Sequence, residues 1–200
     1  MPDGTGERLA DEILARSAKD GDAAAFEELF HRYKKALLNF VYRLIGNAQT
    51  AEEVTQEVFM RAYASLHIYD PGKKFATWIY TIARNLAKNS LRDKKYFRDI
   101  SLEAPIAGED ETIRLKDVIA DTNIGPDAIA ADNEFEAEAQ KIIDSLPAEY
   151  REIIILCSVQ DLPHKDVAAI LGCSMANVSL KLKKAKELFI EKLRLLENEP

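Results

Sequence analysis

The sequence predicts an all-α protein with two small helical domains, joined by a flexible acidic linker, of which the second contains a helix-turn-helix. Three observations predict this fold class. Apolar residues recur at helical spacing through most of the 200 residues. That periodicity stops between Asp99 and Glu134, where acidic residues greatly outnumber basic ones. Two short helical patterns between Leu162 and Phe189 are separated by a single glycine. The predicted boundaries are 8–98, 99–133 and 134–196.

Composition limits the functions that the chain can have. The formal net charge is -7, which is unusual for a protein that binds DNA without help. A nucleic-acid role therefore requires local basic patches and a partner. The sequence contains neither a basic segment followed by an apolar run nor eighteen consecutive apolar residues, so we expect a cytoplasmic protein without membrane insertion. The two cysteines suit a reducing compartment.

The first two helices have recognisable ends. A short helix should end near Asp20-Gly21, and Asp22 can cap a long core helix that continues to Gly46. Thr50 and Glu53 have the spacing of a capping box, which predicts the start of a third helix.

The third helix should continue to about Leu66, with Glu52, Glu53, Gln56, Glu57 and Arg61 exposed. The Tyr69-Asp70-Pro71-Gly72 sequence then predicts a turn into the next helix.

The next segment, Phe75 to Arg98, has an apolar face and a basic face. Its apolar residues are Phe75, Trp78, Ile79, Ile82, Leu86 and Leu91. From Lys73 to Arg98 there are eight basic residues and one acidic residue, Asp93. Asn85 and Asn89 lie one turn apart among them. A basic helix with interleaved aromatic and amide side chains is typical of proteins that bind phosphates and exposed bases, although a solvated face over an ordinary core remains the alternative.

The second domain carries the helix-turn-helix pattern. Pro163 suits the first turn of a helix, Gly172 allows the tight turn, and Ser174 can cap the second helix. Ala168 permits close crossing of the two helices, and Val178 seats the second helix on the first. The outer face of that second helix carries Asn177, Ser179, Lys181, Lys183, Lys184 and Lys186, which can reach bases and phosphates in a major groove. A plain helical hairpin is the alternative.

Three segments in this order resemble the extracytoplasmic-function group of bacterial sigma factors. AEEVTQEVFMRAY is similar to the family's polymerase-binding helix, KFATWIYTIARNLAKNSLR to its promoter-melting segment, and VAAILGCSMANVSLKLKKAK to its helix-turn-helix. The resemblance covers about residues 8 to 195. It implies a sigma region 2-like domain, a linker that threads through the polymerase's RNA exit path, and a region 4-like domain.

The resemblance also implies site residues. Core polymerase would be bound by Glu53, Gln56 and Glu57. The minus-ten element would be recognised and melted by Tyr69, Lys73, Lys74, Phe75, Trp78, Arg84, Asn85, Lys88, Asn89 and Arg92. Among these, Asn85 and the 67–75 loop match positions that hold a base flipped from the non-template strand, and Trp78 could instead belong to the core. The duplex minus-thirty-five element would be bound by Ser174, Asn177, Ser179, Leu180, Lys181, Lys183 and Lys184.

The sequence departs from the family pattern in the recognition helix. Leu180 and Lys181 stand where the family often has a small polar residue and then Arg. A bidentate hydrogen bond from Arg to guanine therefore cannot be assumed here. Leu180 lies about 200° round the helix from Val178, which predicts that it points outward. It could touch a thymine methyl group, meet a protein partner or simply be exposed.

The predicted function is that of an alternative sigma factor, which binds core RNA polymerase and promoter DNA, nucleates melting and is held inactive by an anti-sigma protein. We predict no catalytic residue, cofactor, metal or small-molecule substrate. One alternative is a dimeric helix-turn-helix regulator that binds duplex DNA without polymerase. Two further alternatives, an enzyme with a metal site on Glu52, Glu53 and Glu57 and a zinc site on Cys157, His164 and Cys173, lack convergent or paired ligands.

Overall fold

The residues that the structure describes form two groups of helices. The structure is a computed structural model that describes residues 10–99 and 134–197, with side chains over 10–92 and 138–195. The first group is α1 (Asp11–Lys19), α2 (Ala23–Ile45), α3 (Ala48–Ala64), a 3-10 turn (Leu66–Ile68) and α4 (Phe75–Asp99). The second is α5 (Glu134–Ser145), α6 (Ala148–Ile154), a π turn (Ile155–Val159), α7 (His164–Leu171) and α8 (Met175–Glu197).

The described residues contain helices and no strands, which confirms the predicted fold class. Apart from Asp99, the predicted linker (99–133) lies outside them. None of the helices in these two ranges has the length and apolar character needed to cross a membrane.

Helix ends lie close to where local chemistry predicted them. Asp22 accepts a hydrogen bond from the amide of Ala25 at 3.2 Å, and Ser174 accepts one from Asn177 at 3.2 Å. Gly46 ends α2 with φ 71°, and Gly172 forms the helix-turn-helix turn with φ 67°. Both values are left-handed, which is a conformation that glycine adopts at little cost.

The predicted capping box on the third helix is wrong. Asn47, not Thr50, is the cap: its side-chain oxygen accepts from the Thr50 amide at 2.9 Å, and α3 begins at Ala48. The Thr50 hydroxyl also donates to Asn47, at 2.9 Å. Asn47 takes the cap because it directly follows the Gly46 turn with an extended backbone, so the new helix starts one residue later.

Aromatic side chains form the centre of the first group. The rings of Phe30 and Phe59 lie 4.6 Å apart, edge to face, and those of Phe40 and Tyr80 lie 5.2 Å apart. These contacts join α2 to both α3 and α4. In the second group, Val167, Ile170, Val178 and Ala185 are buried where α7 crosses α8.

The two groups pack against each other through a shared apolar core. α2 contacts α5 and the π turn, and α4 contacts α7. Polar pairs surround this core. Arg43 near the end of α2 donates to the side chain of Gln140 on α5 at 3.0 Å, and Tyr80 on α4 donates to the side chain of Gln160 at 2.7 Å.

Candidate nucleic-acid interface

The loop before α4, residues 69–75, is held by hydrogen bonds at both ends. Within the loop, the amide of Gly72 donates to the Asp70 carboxylate at 2.9 Å, as expected for the predicted turn. From α1, Lys19 donates to the carbonyl oxygen of Tyr69 at 2.8 Å, and Glu12 accepts from the amide of Phe75 at 3.3 Å. The first helix therefore fixes the shape of this loop.

The aromatic side chains of this region form a cluster. Tyr69 and Phe75 are buried, with 1% and 0% exposure, and Trp78 is half-buried against both rings at centroid distances of 5.0 and 5.7 Å. The Tyr69 hydroxyl donates to the Lys73 carbonyl oxygen at 2.6 Å, and burial raises the pKa of Tyr69 to about 12. The interior therefore contains the rings of two residues that were predicted to contact the minus-ten DNA.

The outer face of α4 presents polar and cationic side chains to solvent. Asn85, Lys88, Asn89 and Arg92 are exposed there, and Lys73 and Lys74 are exposed in the preceding loop. The Arg84 side chain is only 18% exposed, because it faces the second helical group. Leu91, which was expected on the core face, is 37% exposed.

The face of α3 predicted to bind core polymerase is accessible. Glu53 and Gln56 are exposed, and Glu57 is half-buried beside Arg61, with which it forms an ion pair at 2.6 Å. Near the end of the helix, Tyr63 is 44% exposed, and its ring makes an edge-to-face contact with that of Phe26, with the centroids 5.0 Å apart. Charged, amide and aromatic groups thus share one solvent-facing stripe.

The second helix of the helix-turn-helix, α8, has the predicted inner and outer faces. Val178 is buried, whereas Leu180 is 70% exposed, which confirms that it points outward. Ser174, Ser179, Lys183 and Lys184 are also exposed, and Asn177 is half-buried. Lys181 is half-buried and donates to Glu149 at 2.6 Å; this hydrogen bond raises the pKa of the ammonium group.

Two acidic residues that sequence reasoning missed lie against the basic side of α4. Glu152 on α6 pairs with Arg84 at 3.0 Å and with Lys88 at 2.9 Å. Asp166 on α7 pairs with Lys74 at 2.7 Å, and this hydrogen bond raises the pKa of Lys74. Both carboxylates are buried, and a buried carboxylate requires a partner cation, but the sequence alone does not show that these two acids are buried.

Among the described residues, no three or more His, Cys, Asp or Glu side chains are grouped as a metal site would require. Cys157 and Cys173 are half-buried free thiols, and burial raises the pKa of Cys157.

The fold and the exposed side chains together define a class of protein. A helical unit with a basic, amide-rich helix is followed by a helix-turn-helix unit with a lysine-rich recognition helix, an arrangement found in sigma-70-type transcription initiation factors. The family model for sigma-70 region 2 matches residues 29–96, and that for sigma-70 region 4 matches residues 136–188.

The chain belongs to the extracytoplasmic-function (ECF) group of RNA polymerase sigma factors. It is 32% identical over 179 residues to the ECF RNA polymerase sigma factor SigW of Bacillus subtilis, which covers 90% of this chain and 94% of that protein. It is 28% identical over 191 residues to the RNA polymerase sigma-H factor of Pseudomonas aeruginosa, covering 94% of this chain and 96% of that protein.

Solved structures share the fold. CnrH in complex with the cytosolic domain of CnrY has a TM-score of 0.69 at 22% identity, covering 94% of this chain and 99% of CnrH. The sigma factor RpoE of Bartonella quintana, in complex with the anti-sigma factor NepR, has a TM-score of 0.63 at 22% identity, covering 84% of this chain and 96% of RpoE.

The family settles the general function. The protein is an alternative sigma factor that acts in transcription initiation, and its family binds core RNA polymerase and promoter DNA. The dimeric regulator considered above is not favoured. Sigma factors are in general not enzymes.

Proposed function

We propose that this sigma factor nucleates promoter melting through the exposed outer face of α4, with Asn85 as the residue that holds an extruded base. The observation that carries this proposal is the exposure of Asn85 and Asn89 on the same face as Lys88 and Arg92. A side-chain amide both donates and accepts, as recognition of a base edge requires, and the neighbouring cations can neutralise phosphates. Extrusion of a base costs a few kcal/mol, which such contacts must offset.

The buried aromatic cluster supports this face from beneath. Because Tyr69 and Phe75 are buried, their rings anchor the 69–75 loop to the core. Trp78 is half-buried, so it is the ring of the cluster that a melted strand can reach. We infer that Lys73 and Lys74, exposed on that loop, contact phosphates of the same strand.

Two other surfaces complete the proposed activity. Glu53, Gln56 and Glu57 on α3 bind the core polymerase, and the outer face of α8 binds the minus-thirty-five duplex through Ser174, Asn177, Ser179, Leu180, Lys181, Lys183 and Lys184. The proposed domains are 8–98 and 134–196, joined by a linker over 99–133. The chain acts in the cytoplasm without catalytic residues of its own, because strand opening draws on binding energy and the polymerase performs the chemistry.

An anti-sigma protein is the proposed regulatory partner. Support comes from the two solved structures of similar fold, since RpoE is bound there to the anti-sigma factor NepR and CnrH to the cytosolic domain of CnrY. Co-purification of a tagged chain from its native cells should recover such a partner in stoichiometric amount.

Run-off transcription tests the proposal as a whole. Core polymerase is assayed with and without the purified chain on a pool of genomic promoter fragments from the same organism. We expect discrete transcripts that require the chain. If transcripts are absent while the chain alone shifts duplex DNA, the proposed melting role is wrong.

A further inference from the structure

Glu149 brings a carboxylate to the recognition helix from outside that helix. It lies on α6, 32 residues before Lys181 of α8, and its Oε2 atom accepts a hydrogen bond from Lys181 Nζ at 2.6 Å. The side chains of Glu149 and Lys181 are 53% and 33% exposed, so the pair lies at the surface. A charged donor and a charged acceptor are therefore held side by side within reach of solvent.

The pair lies on the side of α8 that is proposed to enter the major groove. Asn177 and Lys184 lie four residues before and three residues after Lys181, and residues at these spacings share one face of a helix. Leu180, the next residue to Lys181, is 70% exposed, so this side of α8 is open to solvent. Lys181 therefore shares its face with two residues assigned to the minus-thirty-five duplex, and Glu149 lies beside it.

Each member of the pair keeps hydrogen-bonding capacity for a ligand. The hydrogen bond to Glu149 raises the pKa of Lys181, so its ammonium group stays protonated at neutral pH. An ammonium group has three N–H donors, of which Glu149 takes one. The Oε1 atom of Glu149 accepts no hydrogen bond from the residues that the structure describes. The pair can thus donate and accept at the same time towards a third group.

The major-groove edge of a base pair presents the complementary arrangement. Guanine and thymine carry a keto oxygen that accepts there, whereas cytosine and adenine carry an amino group that donates. In each base pair the keto oxygen and the amino group are hydrogen-bonded to each other, so they lie about 2.9 Å apart. That separation is close to the 2.6 Å between Lys181 Nζ and Glu149 Oε2. A fixed donor beside a fixed acceptor fits one orientation of a base pair and places like groups together in the other.

We propose that Glu149 determines promoter specificity by reading one base pair of the minus-thirty-five element together with Lys181. The keto base of that pair faces Lys181, and the amino base faces Glu149. Guanine is preferred over thymine beside Lys181, because guanine offers N7 as a second acceptor to the third N–H donor. Adenine or cytosine at that place sets donor against donor and acceptor against acceptor. This inference rests on the proposed function, which assigns the outer face of α8 to the minus-thirty-five duplex.

The test uses core polymerase reconstituted with the full chain on a promoter library whose minus-thirty-five element is randomised. A transcribed barcode identifies the element of each template, so sequencing of the transcripts gives the base preference at every position. With the wild type, we expect one position at which guanine ranks first, thymine second, and adenine and cytosine at least about fivefold below guanine.

Glu149→Gln should remove this preference. A side-chain amide both donates and accepts, so the ratio of keto to amino bases at that position should fall below about twofold while other positions keep their preferences. Glu149 is exposed, so this isosteric change should not destabilise the fold. The control is Glu191→Gln, which removes the same charge from an exposed site on α8, ten residues beyond Lys181, and should leave the preference unchanged.

The Lys181→Met variant and the double variant decide whether the two side chains act together. Lys181→Met should lose the same preference, and the double variant should lose no more at that position than either single variant. A preference that survives Glu149→Gln would overturn the inference. So would a change by the same factor across all sequences, since Glu149 would then act through its charge alone. Wild-type protein that gives no polymerase-dependent transcripts would contradict the proposed function itself, and the inference with it.

Discussion

Lys19 donates a hydrogen bond to the carbonyl oxygen of Tyr69 at 2.8 Å, and so joins the end of α1 to the loop that enters α4. This contact spans fifty residues of sequence. Together with the Glu12 contact to the amide of Phe75, it gives α1 a positioning role, because the loop backbone has its shape before any DNA is bound.

Replacing Lys19 by Met should loosen that loop without removing a DNA-binding group. A charge-assisted hydrogen bond at a partly exposed site contributes about 1 kcal/mol, so only a modest loss in the free energy of unfolding is expected. Open-complex formation, measured by permanganate reactivity of unpaired thymines, should fall several-fold more than core binding does. Arg16→Met, which removes an exposed cation of the same helix, is the control. Equal effects of the two variants would contradict the positioning role.

Asn85→Ala should impair promoter melting and leave polymerase binding intact. Asn85 is exposed, and Ala has a higher helix propensity than Asn, so the substitution should not destabilise the fold. Loss of base recognition should reduce open-complex formation by about tenfold, equivalent to one or two hydrogen bonds. Permanganate footprints and a core-binding titration measure the two steps separately. An equal loss in both would assign Asn85 a structural role instead.

The sequence predicted the features whose partners lie within a few residues. Asp22, Ser174 and the two left-handed glycines, Gly46 and Gly172, were predicted because capping and turn geometry involve at most one helical turn. The capping box at Thr50 failed even at this range. Asn47, three residues earlier, can cap a helix in the same way. It is the cap because it directly follows the Gly46 turn at the end of α2.

Features that depend on partners far away in the sequence were missed, or were predicted to contact DNA and are instead buried. Glu152 and Asp166 meet their cations across 68 and 92 residues, and no local pattern indicates which cation a lone acid will find. Tyr69 and Phe75 have the composition of a base-stacking loop, but both rings are buried: they pack against Trp78, and Phe75 also contacts Tyr33 of α2. We therefore propose that Tyr69 and Phe75 support the DNA-binding loop and do not contact DNA themselves.

The double substitution Gln56→Ala with Glu57→Ala should weaken core association without unfolding the protein. Both side chains lie on the accessible face of α3, and the ion pair from Glu57 to Arg61 contributes only about 0.3–0.5 kcal/mol as an exposed helical pair. We expect about a tenfold weaker dissociation constant for core polymerase, as for the loss of two interface contacts. Glu187→Ala on α8 removes the same single negative charge as a control. Unchanged affinity in the double variant would show that another face binds polymerase.

Leu180→Ala should alter base preference in the minus-thirty-five element while stability stays within about 0.5 kcal/mol, as usual for surface substitutions. The side chain is 70% exposed, so truncation opens no cavity. Contact with a thymine methyl group predicts reduced discrimination at one base pair, by about 1 kcal/mol or more. Binding to a library of minus-thirty-five sequences measures this. Lys183→Ala is the comparison variant, because loss of a phosphate contact should weaken binding to all sequences by the same factor. A uniform loss with Leu180→Ala would exclude base readout by this residue.

Stability should fall as the pH rises above about 10, the ordinary pKa of a tyrosine phenol. Burial raises the pKa of Tyr69 to about 12 and raises those of Tyr33 and Tyr80 as well. The folded state therefore keeps these phenols protonated after the unfolded chain has lost its protons, and each such phenol lowers stability by up to about 1.4 kcal/mol per pH unit in that interval.

Tyr80→Phe should reduce this alkaline slope by the contribution of one phenol. The variant also loses the hydrogen bond to Gln160, which should cost about 1 kcal/mol at pH 8, where no phenol ionises. Gln160→Ala separates the two effects, because it removes the hydrogen bond and keeps the phenol. Lys74 and Lys181, whose pKa values are raised by their acidic partners, lose their ion pairs at high pH in all three proteins and so cancel in the comparison. Urea unfolding at pH 8, 10 and 11 gives the slopes, and the same slope for Tyr80→Phe as for the wild type would show that Tyr80 ionises in the folded state.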